Sequence, residues 1–274
     1  MRRLDQKVAL VTGGASGLGK AIAYRLASEG ARVVISDVQT ALGLQTAAEG
    51  GFLFLEHDVS DEQSWARVVQ ELDRKAGALH VLVNNAGIVG PMGATSPENT
   101  QLETWRRVFA VNVEGVFLGC RAGIAAMRRS GSGSIINISS VAGLLATPYN
   151  TAYGASKAAV CQLTQSVAQH CAAERLSIRC NSVHPGDVHT PLWDQIARET
   201  AAQTGLSVEA ILAEHEATTP MGGITQAEDV AAAVAYLASD DARRVTGSRI
   251  VVDGGLVGCD TYHLVKGSKT YTRR

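Results

Sequence analysis

The sequence predicts an α/β fold, a doubly wound parallel sheet covered by helices on both faces. Three observations predict it. Short runs rich in Val, Ile and Leu alternate with longer helical patterns along most of the chain. The first run leads directly into a glycine-rich turn that opens a helix. No linker, repeat or composition shift divides the 274 residues, so residues 1–274 read as a single domain. Right-handed crossovers between parallel strands then distribute the helices over the two faces.

Each element follows from its local pattern. Residues 8–11 are an unbroken apolar run and predict a buried strand; a helix continues from the glycine turn to about residue 29. Residues 32–36 predict the second strand, followed by a helix near 40–48. Residues 52–56 predict the third, and Ser60 and Gln63 are spaced as the capping box of the helix that follows. The fourth strand is predicted at 81–83, and a long helix at about 102–128. A strand at 134–138 precedes a helix at about 151–173, and a sixth strand covers 178–183. A polar, alanine-rich segment at about 188–225 breaks the alternation and reads as a helical lid, with one helix at 207–216. A helix at 227–238 and a strand at 249–252 close the pattern, and about 256–274 reads as a solvated tail.

Composition removes several function classes. Hydrophobic content of 46% with 19% charged residues belongs to a folded globular chain. The net charge is −1, and basic pairs such as Arg106-Arg107 and Arg243-Arg244 are scattered, unlike the stripe of a nucleic-acid binder. The five cysteines are odd in number and form no C-x-x-C pair, which favours buried free thiols in a reducing compartment over a disulfide framework or zinc knuckle. Two arginines precede a short apolar run that glycines end at once, unlike a signal peptide. No apolar run is expected to reach the ~20 residues of a membrane span. The expectation is a soluble, cytoplasmic protein without a metal.

The motifs lie at predicted strand ends. Thr12-Gly13-Gly14-Ala15-Ser16-Gly17-Leu18-Gly19 follows the first strand. Glycines there let the backbone approach a pyrophosphate, and the helix N-terminus favours its charge. Asp37-Val38 ends the second strand; its carboxylate can accept both ribose hydroxyls of an adenosine, repels a 2′-phosphate, and so favours NAD, although Asp37 also suits a helix cap. Asp58-Val59 can reach an adenine or serve as an acid at a helix N-terminus. Asn84-Asn85-Ala86-Gly87 suits a turn beside a cofactor ribose, and equally an ordinary turn. Asn112 stands mid-helix, where propensity disfavours it, which suggests an assigned hydrogen bond. His184 and His189 flank Pro185-Gly186, but without clustered carboxylates or thiols they read as structural or substrate-contact residues.

Tyr153 and Lys157 share one helix face, one turn apart. A positive charge ~4 Å away, at an effective dielectric of ~20, supplies about the 4 kcal/mol that lowers a phenol by ~3 pKa units. The pair can therefore make a tyrosine that moves protons near neutral pH. Ser139-Ser140, at the end of the fifth strand, adds a hydroxyl.

Taken in order, TGxxxGxG, the aspartate after the second strand, NNAG, Asn112, Ser140, YxxxK and the PGxVxT of residues 185–190 resemble the short-chain dehydrogenase/reductase family, as does the closing run at 245–255. The resemblance implies a Rossmann-like fold and a catalytic set of Asn112, Ser140, Tyr153 and Lys157. Tyr153 would be the general acid/base, and Ser140 would stabilise the substrate oxygen. Lys157 would lower the phenol pKa and hold the nicotinamide ribose, while Asn112 would support a proton relay. It further implies cofactor contacts from Gly13, Ser16, Gly17, Leu18, Gly19, Asp37, Val38, Asp58, Val59, Asn85, Ala86, Gly87, Tyr153, Lys157, Pro185, Gly186, Val188 and Thr190. Substrate contacts would come from Ser140, from Gly93 and its neighbours, and from an apolar pocket of Leu144, Leu145, Leu192, Trp193 and Met221.

The nearest likeness is to bacterial hydroxysteroid and cyclic secondary-alcohol dehydrogenases. The expectation is an NAD-dependent enzyme that interconverts a small-molecule secondary alcohol and its ketone. By the same resemblance it is a homotetramer built through the two long helices. The alternatives are an NADPH-dependent 3-oxoacyl-carrier-protein reductase, against which Asp37 argues, and a non-catalytic dinucleotide-sensing protein.

Overall fold

Strand alternation decides how the layers form. The structure is a computed structural model that describes residues 2–91 and 95–258; the expectations on Gly93, Cys259 and the tail beyond residue 258 lie outside them. In β1 (Val8–Thr12), Ala9 and Val11 enter one apolar layer and Leu10 the other, and all three are fully buried. Burial on both faces is what a central parallel strand requires.

The chain continues through α1 (Gly17–Ser28), β2 (Arg32–Asp37), α2 (Thr40–Gly50), β3 (Leu53–Glu56), α3 (Glu62–Ala76) and β4 (Val81–Asn84). There follow α4 (Leu102–Phe109), a π-helical segment (Ala110–Glu114), α5 (Gly115–Ser130), β5 (Gly133–Ile138), α6 (Thr151–Ala173) and β6 (Ile178–Pro185). The last elements are β7 (Val188–His189), α7 (Pro191–Thr204), α8 (Val208–Thr218), β8 (Thr225–Gln226), α9 (Ala227–Ala238) and β9 (Arg249–Val252).

Seven strands form one parallel sheet in the order β3-β2-β1-β4-β5-β6-β9. Ile22 and Leu26 of α1 and Val230, Val234 and Leu237 of α9 cover one face. Trp65, Val68 and Leu72 of α3, Met127 of α5 and Val160 of α6 cover the other. The strand order reverses between β1 and β4, which opens a crevice at their carboxyl ends. Two short strands, β7 and β8, pair separately and tie the start of the lid segment to its end.

Three expectations are corrected here. The cap of α3 is Asp61, whose carboxylate accepts from the N–H groups of Gln63 and Ser64 at 2.9 and 3.0 Å; Ser60 instead bonds Asp58. The long helix is not uniform, because its middle widens into the π-helical segment that contains Asn112. Finally, Leu102–Ser130, 29 residues, is long and apolar enough to cross a membrane. It packs against α3, α6, β4 and β5, with somewhat under half of its most apolar window buried within the chain.

Candidate active site

The glycine loop is shaped by close backbone approach. Gly13 has φ +64°, and a Cβ there would stand 2.9 Å from Ala86 Cα. A Cβ on Gly19 would stand 2.0 Å from Gly13 O. Asn85 Nδ2 donates to Thr12 O and Gly13 O at 2.9 and 3.1 Å, which fastens the loop to the turn after β4. Thr12 Oγ1 accepts from the N–H groups of Asn85 and Ala86. Ser16 caps α1 without a side-chain hydrogen bond, so the first N–H groups of the helix remain for an anion.

Asp37 is buried. Its two oxygens accept from Ala15 N–H at 3.1 Å and Gln39 N–H at 3.0 Å, so it braces the glycine loop rather than capping α2. These features fit the pyrophosphate and adenosine ribose of a dinucleotide: a cradle without room for side chains, an open helix N-terminus, and a carboxylate at the second strand's end.

One cavity of about 800 Å³ runs from this cradle to the lid. It is lined by Gly13, Ser16, Gly17, Leu18 and Gly19, then by Asp37, Val38, Asp58 and Val59. Asn85, Ala86 and Gly87 follow, and Pro185, Gly186, Val188 and Thr190 form the wall after β6. Ser140, Tyr153 and Lys157 line its centre. Asn112 is wholly buried behind them. Its Oδ1 accepts from Ile88 N–H at 2.9 Å, and its Nδ2 donates to Ile88 O at 2.9 Å and Ser156 Oγ at 3.0 Å. A Cβ on Gly87 would lie 3.3 Å from Asn112 Oδ1 and 3.4 Å from Lys157 Nζ, so amide and ammonium meet at that glycine.

Local structure aims the reactive groups. Ser140 caps the short 3-10 turn Val141–Gly143: its Oγ accepts from Ala142 N–H at 3.1 Å, which leaves its proton to donate into the cavity. His184 is buried, with Nδ1 3.2 Å from Ser140 O and Nε2 2.8 Å from Ser182 Oγ. A carbonyl only accepts, so Nδ1 carries the proton and Nε2 accepts from Ser182. Burial lowers the His184 pKa and keeps the ring neutral. His184 thus pins the backbone of Ser140, while His189 is exposed and faces Asp194 at 3.5 Å.

The expected lowering of the Tyr153 pKa is corrected in the chain by itself. Burial raises it, a hydrogen bond with Ser140 lowers it, and the charge of Asp187 raises it further. Lys157 is no counterweight, because its Nζ donates to Ile138 O at 2.9 Å and sits 5.5 Å from the phenol ring centroid. Burial also lowers the ammonium itself to about 8.

The substrate end differs from expectation. Leu192 and Trp193 line the cavity, but Leu144, Leu145 and Met221 do not. Leu145 and Met221 are exposed instead. The resemblance places these apolar residues in the substrate region, but apolar character does not tell which side of a loop faces the cleft. Sequence reasoning missed Ile196 and the pair Asp187–His215, which also line the cavity. His215 Nδ1 lies 2.6 Å from Asp187 Oδ2, a contact across 28 residues that no local spacing announces. Among the described residues, no group of three or more His, Cys, Asp or Glu is placed to hold a metal.

A family model described as enoyl-(acyl carrier protein) reductase matches residues 13–257. The chain is 42% identical over 258 residues to the 3-beta-hydroxysteroid dehydrogenase of Comamonas testosteroni, covering 93% of this chain and 98% of that one. It is 41% identical over 260 residues to the NADP-dependent (R)-specific alcohol dehydrogenase of Lentilactobacillus kefiri, covering 92% and 97%. The ligand-free aldohexose dehydrogenase of Thermoplasma acidophilum has a similar structure, with a TM-score of 0.86 at 33% identity, covering 100% of this chain and 99% of that one.

Proposed function

The chain belongs to the short-chain dehydrogenase/reductase family and is an oxidoreductase, and from that premise we propose that it interconverts a secondary alcohol and its ketone with NAD as cofactor. The substrate we propose is apolar and cyclic, of hydroxysteroid type. The observation that carries this is the meeting of Ser140, Tyr153 and Lys157 in one cavity with the glycine cradle and Asp37.

A nicotinamide dinucleotide seated in the cradle supplies the hydride acceptor or donor. The chain supplies the proton chemistry. In oxidation the Tyr153 phenolate takes the alcohol proton and becomes the phenol; in reduction the phenol gives that proton to the ketone oxygen. Ser140, one of its lone pairs engaged by Ala142 N–H, donates to the same oxygen and stabilises the charge that develops there. Lys157 holds its ammonium between Ile138 O and the Gly87–Asn112 corner, from which a proton can pass outward. Leu192, Trp193 and Ile196 offer the apolar wall for the substrate.

Tyr153→Phe tests the mechanism. The expected result is a loss of about 10²–10⁴-fold in kcat with little change in dinucleotide affinity. Unchanged turnover of every secondary alcohol oxidised by the unaltered protein would refute the assignment.

Asp37 supports NAD, since a carboxylate at the end of the second strand can accept both ribose hydroxyls and would repel a 2′-phosphate, and no Lys or Arg lies in residues 12–19 or 38–40. Equal binding of NAD and NADP in a fluorescence titration would remove that support. The hydroxysteroid and alcohol dehydrogenases among the relatives disfavour an acyl-carrier-protein reductase, and Asp37 argues against the NADPH such a reductase would use. We also infer a homotetramer, supported by the family resemblance and by the exposed Phe117 on α5.

A further inference from the structure

The lid end of the cavity holds a polar pair, of which only the charge of Asp187 reaches the proton-transfer group Tyr153. Asp187 follows Pro185-Gly186 at the end of β6, and its backbone is fixed because its carbonyl accepts from Thr225 N–H at 3.1 Å. Its carboxylate holds His215 Nδ1 at 2.6 Å. The imidazole stands edge-on to Trp193 of α7, with centroids 5.1 Å apart and planes at 88°. Asp187, Trp193 and His215 line the same cavity as Tyr153. Three separate elements therefore fix one ring: the loop after β6, α7 and α8.

That clamp decides the chemistry of the ring's other nitrogen. A carboxylate only accepts, so Nδ1 carries the proton toward Asp187. In the neutral ring Nε2 is then an acceptor, and in the charged ring it is a donor. Nε2 has no hydrogen-bond partner among the described residues. The ring is also not sealed away, with 44% of its side-chain surface accessible. The ring lies against Trp193, and Leu192 and Ile196 line the same cavity, so a directed polar atom on this apolar side discriminates strongly between ligands.

Resting on the alcohol dehydrogenase reading above, we infer that His215, oriented by Asp187, recognises a second oxygen on the substrate, remote from the carbon that is oxidised. The substrate class is then a cyclic secondary alcohol carrying a further hydroxyl or carbonyl. Its apolar rings lie along Leu192, Trp193 and Ile196, and its far oxygen bonds Nε2. His215 is a specificity-determining residue and takes no part in the proton transfer.

The test uses matched pairs of secondary alcohols of one, two and four fused rings, each with and without a second ring oxygen. NAD reduction is followed with the full-length protein, His215→Phe and His215→Gln. Phenylalanine keeps a ring against Trp193 but has no polar atom, whereas glutamine can bring an amide near the Nε2 position.

The expected result is that at least one oxygenated member is preferred in kcat/KM, and that His215→Phe reduces this preference about tenfold. His215→Gln should restore part of it. A role confined to lid packing would lower both members of a pair alike and leave the ratio unmoved. An unmoved ratio, or the absence of any preference in the unaltered protein, overturns the inference while the alcohol dehydrogenase reading stands. Failure of the unaltered protein to oxidise any alcohol of the series overturns that reading instead, and this inference with it.

Discussion

At the scale of the residue, Lys157 is strongly displaced among the groups gathered at the cavity. Its ammonium is buried, keeps one hydrogen bond to Ile138 O, and is lowered to about 8. In the unfolded chain a lysine titrates near ~10.4. Between about pH 8 and 10.5 the unfolded state therefore binds more protons than the folded one, and stability gains from this group as pH rises. Below pH 8 the folded protein carries the full cost of the desolvated charge, on the order of 3 kcal/mol. The stability of the unaltered protein minus that of Lys157→Met should thus become more favourable from pH 7.5 to pH 10. Urea midpoints at several pH values measure it, and a difference that stays flat across that range would sink the claim. The same burial explains why Tyr153 is raised rather than lowered: spacing places the two side chains on one face, but it does not show that the ammonium turns toward a carbonyl.

At the scale of the element, Asn112 accounts for the break in the long helix. Its side chain bonds both backbone groups of Ile88 and the hydroxyl of Ser156, and the π-helical segment is where the chain holds that amide. Asn112→Leu keeps much of the volume but strands these buried groups. It should destabilise the protein by about 2–4 kcal/mol in denaturant unfolding, and a cost below about 0.5 kcal/mol would show that Ile88 finds other partners. An asparagine in a helical pattern made the hydrogen bond legible in the sequence, whereas the wider turn leaves no mark in composition.

The lid was legible in the same uneven way. Ser207 opens the helix expected at 207–216 and caps α8, whereas Thr190, read only as a cofactor contact, also caps α7, and the Asp187–His215 pair exists only once α8 folds back over the loop after β6. Asp187 raises the His215 pKa, chiefly through that hydrogen bond and against burial. A raised histidine pKa means that the pair's support for the docked lid is complete below about pH 6.5 and fades as pH rises through the folded value. Asp187→Asn should move the His215 titration, followed by imidazole proton NMR, down to or below that of a free histidine. An unshifted titration would mean that another group sets it.

At the scale of the whole molecule, the sheet order explains why motifs spread from residue 12 to residue 190 converge. Every parallel strand ends at the same edge, and the reversal between β1 and β4 opens the crevice there. Strand alternation and strand-end motifs made that much readable before any coordinates. What one chain leaves unpaired points to its assembly. α5 buries Val116, Cys120 and Met127 against the sheet, yet Phe117 is 49% exposed, with the Arg121 guanidinium 5.7 Å above its ring. Leu102, at the start of α4, is also exposed. In a two-fold interface each such side chain is buried twice, once from each subunit. Fully burying a phenylalanine contributes about 1.5–3 kcal/mol; Phe117 is already half buried, so covering a symmetric pair contributes roughly 1.5–3 kcal/mol in all, a change of about tenfold or more in an association constant. Phe117→Glu replaces both copies with desolvated like charges and should dissociate the proposed tetramer into smaller species in sedimentation velocity. Dinucleotide affinity should be retained, since Phe117 does not line the cavity. A variant that still sediments as four chains would take this face out of the interface.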